Sequence, residues 1–193
     1  MNNNKAIQTS LMYVNDVLAL ERHIKEAVAR QTEDEHVRNN SEAALLVNQI
    51  AASTATRLND LKELSELLGG GAGAVKESVA AVAGVFAGLY DMVRKHPVSR
   101  LLRDDYTALA LASTAYSMLF TTGLALHQDQ VAAVARRGLH QVAPLVLKLS
   151  HLIPAVVVSE LAADFPEVNQ DATAAAREAT ERAWSPEGEL AHG

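Results

Sequence analysis

Glu21 is the residue of this sequence whose position most demands a chemical explanation. Across residues 6–30 the apolar side chains Ile7, Leu11, Val14, Leu18, Ile24 and Val28 keep to one helical face. Glu21 falls on that face, three residues after Leu18 and seven before Val28. A carboxylate there has to be paired, protonated or reached by water, because an unpaired buried charge is costly. Outside the tail, the chain's one Glu-x-x-His spacing is Glu33-Asp34-Glu35-His36. Its polar setting fits acidic residues at a helix N-terminus better than a metal site. Tyr116 stands in an uncharged stretch, where its phenol would serve either a redox or hydrogen-bonding role or, more simply, the core with one hydroxyl partner. His127 and His151 read as helix-end or surface residues, and His192 belongs to the tail.

Other chemistries lack their residues. With no Cys, the chain has no thiolate nucleophile, disulfide, iron–sulfur cluster or Cys-type zinc site. No Ser-His-Asp spacing supports hydrolysis. The run Gly69-Gly70-Gly71-Ala72-Gly73 is followed by no Lys-Ser/Thr at the P-loop spacing and preceded by no strand, so it reads as a helix terminator.

The elements that must position Glu21 are helices. Aromatic residues make up 4% of the chain and hydrophobic ones 49%, which favours packed helices over a sandwich of strands. A length of 193 residues suits one core. The domain reading is a bundle over residues 1–165 followed by a C-terminal helix and tail over 166–193. The net charge of −6 without a dense Lys/Arg stripe argues against a nucleic-acid partner. The first ten residues carry one Lys and no apolar run, so they do not resemble a secretory signal, and a cytoplasmic location is the expectation.

Periodicity predicts a first helix over residues 6–30 and a second over 41–68, with Ser41 as N-cap and Val47, Ile50, Thr54, Leu58, Leu61, Leu64 and Leu68 as its stripe. A crossover helix is predicted over 76–95, ended by His96-Pro97. A third long helix, capped by Ser99, runs to His127, and a fourth over 130–153 holds Pro144, where a kink is expected. Pro154 is read as opening a further short helix to residue 165, and residues 171–184 as a last one. Residues 106–126 carry no charge and are long enough to span a bilayer. Their six hydroxyl residues, Thr107, Ser113, Thr114, Ser117, Thr121 and Thr122, favour a bundle helix instead, so no membrane span is expected. The fold class is therefore all-α: a four-helix bundle with a crossover helix between helices 2 and 3 and a C-terminal helical extension, which is the ferritin-like variant.

Several segments carry a family resemblance. Leu20-Glu21-Arg22-His23-Ile24-Lys25-Glu26-Ala27-Val28 resembles the AEKQLxxAL segment of the YciE/YciF-type ferritin-like proteins, small stress-associated bacterial bundles. Arg57-Leu58 falls where that family has its RL, and Leu102-Arg103-Asp104-Asp105 resembles its VRDA. The likeness spans roughly residues 11–154. It implies a ferritin-type fold, commonly dimeric, with a dimetal carboxylate centre for iron or manganese. Glu21 matches the family's first-helix carboxylate. The remaining ligand positions depart from the pattern: Asn48, Gln49 and Thr54 on helix 2, residues 116–119 (YSML) on helix 3, and His140 with Gln141 on helix 4.

The leading functional reading is a non-catalytic ferritin-like protein, structural or stress-associated, homodimeric, with its dimetal site lost and no cofactor. Glu21 is then held in a polar network with Gln49, Thr54, Tyr116 or His140. One alternative is a binding module for a small apolar ligand lined by Ala112, Ala115, Gly123 and Gly138. Another is a metal-binding oxidase with an unusual ligand set built on Glu21 and His140.

Overall fold

The computed structural model describes residues 3–70 and 97–185. Among them are six helices and no strand. They are α1 (Asn3–Gln31), α2 (Glu35–Asn39), α3 (Ser41–Leu67), α4 (Val98–Ala125), α5 (Asp129–Asp164) and α6 (Ala172–Trp184). The crossover helix predicted over 76–95 and the tail beyond residue 185 lie outside the described residues.

Helix ends follow side-chain chemistry that periodicity does not reveal. The polar connection after α1 forms a helical turn of its own because the Asp34 carboxylate accepts from the backbone N–H groups of His36 and Val37. Ser41 does not cap α3. Asn40 does, accepting from Ala43 N at 3.0 Å, so Ser41 is already helical. Likewise α4 starts directly after Pro97 rather than at Ser99. Ser99 is instead held from outside its helix, its N–H 3.0 Å and its hydroxyl 2.5 Å from the Glu160 carboxylate of α5. That places an anion at the positive end of α4.

The largest departure from expectation is Pro154, which opens no new helix. α5 runs through both Pro144 and Pro154 as one element of 36 residues. Each proline deletes one backbone hydrogen bond and crowds the preceding turn, at a cost of about 3 kcal/mol. Against that, Leu145, Leu149, Leu152 and Val156 keep one continuous buried face across both rings, and burying each such side chain is worth about 1.5–3 kcal/mol. The tertiary face overrides the local break.

Contacts between side chains fix the helix directions. Asn15 meets Ser65 and Glu21 meets Arg57, so α1 and α3 are antiparallel. Gln31 Nε2 donates to Asp105 Oδ1 at 2.9 Å, which makes α1 and α4 antiparallel. The pairs Arg137–Asp60 and Lys148–Gln49 set α5 against α3, and Ser99–Glu160 sets α5 against α4. α1, α3, α5 and α4 therefore surround one core, each packing on two neighbours. It also follows that α3 and α4 run parallel, so the end of α3 at Leu67 and the start of α4 at Val98 lie at opposite ends of the core.

α4 and α5 are each long and apolar enough to cross a membrane by length and composition, and about one third of each apolar window is buried within the chain. The hydroxyls of α4 weigh less against a span than their number suggests. Thr107, Thr114, Thr121 and Thr122 each bond back to the carbonyl four residues earlier, which satisfies their polarity inside the helix. α4 is buried on one side, with Leu102, Leu109, Ala112, Tyr116 and Leu119 all at or below 1% exposure.

Candidate functional site

A polar layer crosses the core, and every long helix contributes to it. α1 supplies Glu21, which is fully buried. α3 supplies Arg57, 1% exposed, whose Nε lies 2.5 Å from Glu21 Oε1 and whose Nη2 lies 2.9 Å from Oε2. This is a bidentate fork, the strongest geometry an Arg–carboxylate pair offers. Two of the remaining guanidinium N–H groups are also used: Nη2 reaches Thr54 Oγ1 at 2.9 Å and Nη1 reaches Ser53 Oγ at 2.6 Å. α4 supplies Tyr116, its ring closing the layer. α5 supplies Gly138, on which that ring rests, since a Cβ there would lie 2.5 Å from ring carbons Cδ1 and Cζ.

Burial pushes the Glu21 carboxyl above the ordinary carboxylate range, and the charge and hydrogen bonds of Arg57 pull it back. Burial likewise pushes the Tyr116 phenol far above its ordinary value of 10.0, with the neighbouring Glu21 charge adding to the rise. The Tyr116 hydroxyl is near enough to feel both ions, yet it has no well-aligned hydrogen-bond partner among the described residues. A phenol whose folded value is raised stabilises the fold fully below pH 10.0 and loses that contribution as the pH climbs above it. Chemical denaturation of wild type and Tyr116→Phe at pH 8 and above pH 10 should show the wild type losing stability more steeply. At pH 8 the variant should be within about 1 kcal/mol of wild type.

The structure brings together three of the sequence candidates, Glu21, Thr54 and Tyr116, and leaves two elsewhere. Gln49 is half-buried and accepts from Lys148 Nζ at 3.0 Å on the α3/α5 flank. His140 is exposed on α5. Glu33, Glu35 and His36 are exposed too, with Asp34 serving as the α2 cap. His127 sits in the α4–α5 turn with φ +56, and His151 pairs with Glu181 of α6 at 3.3 Å.

Arg57 is the residue that sequence reasoning missed as Glu21's partner, although a signal for it exists. Ile50, Thr54, Arg57, Leu61, Leu64 and Leu68 step by four, three, four, three and four. That places a guanidinium on the buried stripe of α3 just as Glu21 lies on that of α1.

The donor set does not fit the dimetal centre that the family resemblance implies. Both oxygens of Glu21 are engaged by Arg57, α3 offers only hydroxyls beside it, and His140 faces solvent. Among the described residues no three His, Asp or Glu side chains gather closely enough to hold a metal. At two of the four small residues suggested as the wall of an apolar cavity the space is taken: Tyr116 fills it at Gly138, and the backbone of Ala132 fills it at Gly123. Compared with known proteins, the chain matches no family model, no curated protein and no solved structure.

Proposed function

We propose that this chain is a non-catalytic ferritin-like four-helix bundle, a divergent relative of the YciE/YciF type, acting as a cytoplasmic homodimer in a structural or stress-associated role. The observation that carries the reading is the Glu21–Arg57 fork, which supplies from within the chain the positive charge that a buried carboxylate needs. The parallel course of α3 and α4 supports the topology, because it requires the connection of a ferritin-like bundle rather than a short hairpin. Support for a second copy comes from apolar side chains left open on α4 and α5, among them Leu111, Met118 and Leu147.

Two measurements test the reading. Elemental analysis of protein purified without a metal-affinity tag should find no stoichiometric transition metal in wild type or in Glu21→Ala. Iron or manganese near two per chain that vanishes in the variant overturns the non-catalytic reading. Light scattering should give twice the 20.6 kDa chain mass, and a monomer removes the homodimer.

A further inference from the structure

The polar layer has the form of a binding site whose ligand is attached to the chain. Glu21, Ser53, Thr54 and Tyr116 stand around the end of the Arg57 side chain. Glu21 stands on a different helix from Arg57, fully buried, and directs both oxygens at one edge of the guanidinium. Thr54 accepts from Nη2 as well, and Ser53 accepts from Nη1. Tyr116, its ring packed on Gly138, lies near enough to feel the Arg57 charge. We infer that these four side chains form a preorganised cation slot, selective for a planar guanidinium, of which Arg57 is the built-in occupant.

The selectivity follows from donor geometry. A guanidinium presents two parallel N–H groups that match the two oxygens of a carboxylate, with further donors left in the same plane for the hydroxyls. An ammonium is a point charge that meets one oxygen well and keeps its hydration more tightly. A divalent metal needs several anionic or imidazole ligands, and the slot has one carboxylate. Cutting Arg57 back to Ala would leave the acceptors in place and open a space shaped for a free guanidinium ion.

Thermal unfolding of Arg57→Ala, followed by circular dichroism, tests the slot with millimolar guanidinium chloride as the probe. Sodium chloride and ammonium chloride at the same ionic strength are the controls. The expected result is a saturable rise in Tm of about 5 °C with guanidinium alone. Arg57→Ala/Glu21→Gln, which lacks the carboxylate, should show no rise. If Arg57→Ala is unfolded as purified, the expected readout becomes a saturable return of helical signal on adding guanidinium. Arg57→Lys should not restore the wild-type Tm. A response that never saturates, that ammonium matches, or that the double variant shares overturns the slot, as does no response at all.

Discussion

Arg57→Met unfolds with a loss of about 3–5 kcal/mol, and Glu21→Leu/Arg57→Met recovers most of it. The single change leaves Glu21 fully buried with its guanidinium gone. Breaking a buried pair by removing one partner costs about that much, because the survivor keeps its desolvation penalty and loses its compensation. The double change removes both charges, and two apolar side chains of similar volume replace the pair at little net cost or even a gain. Denaturant titrations of the four proteins give the coupling directly as a double-mutant cycle. Additivity of the two single losses would mean that Arg57 and Glu21 do not act as a pair. Thr54→Ala, by contrast, removes one neutral acceptor of the guanidinium, for which about 1 kcal/mol is the ordinary scale.

The same pair shows how far sequence reasoning reaches. Periodicity was sufficient to find the four long helices because each carries a one-sided apolar stripe, and it located Glu21 on such a stripe. Its partner was obscured because an Arg near an Asn-Asp pair on α3 resembles a solvated face until its step from Thr54 and to Leu61 is counted. Chain breaks were less legible for a different reason. Pro154 has a strong local preference that the packing of Leu149, Leu152 and Val156 outweighs, and packing is not a local property. Caps lie between these cases. Asn40 and Ser41 are both good N-cap residues, and only the geometry of the Ala43 N–H selects Asn40. His140 and Gln49 sit at positions suggested by the family pattern, yet the α5 and α3 faces that carry them turn outward, a rotation that likeness of order does not specify.

Gly138→Ala should destabilise the protein by a net of about 1–2 kcal/mol, against the ordinary preference of a helix interior. Ala in place of Gly within a helix normally gains close to 1 kcal/mol. Here the added methyl would fall on the Tyr116 ring, 2.5 Å from Cδ1 and Cζ, inside a layer where that ring is 1% exposed and cannot swing aside. Overpacking of this kind costs about 1–3 kcal/mol and pushes side chains or backbone from their preferred positions. The displacement would pass to the Glu21–Arg57 fork, whose other sides are closed by Thr54 and Ser53. Shrinking the ring gives the decisive comparison. In Tyr116→Leu the obstructing carbons are gone, so Gly138→Ala on that background should be neutral or stabilising. Gly138→Ala on Tyr116→Phe should remain as costly as on wild type, because the ring carbons that meet the methyl are retained. Equal penalties on all three backgrounds would show that Gly138 is needed for something other than the close approach of α4 and α5 at this ring.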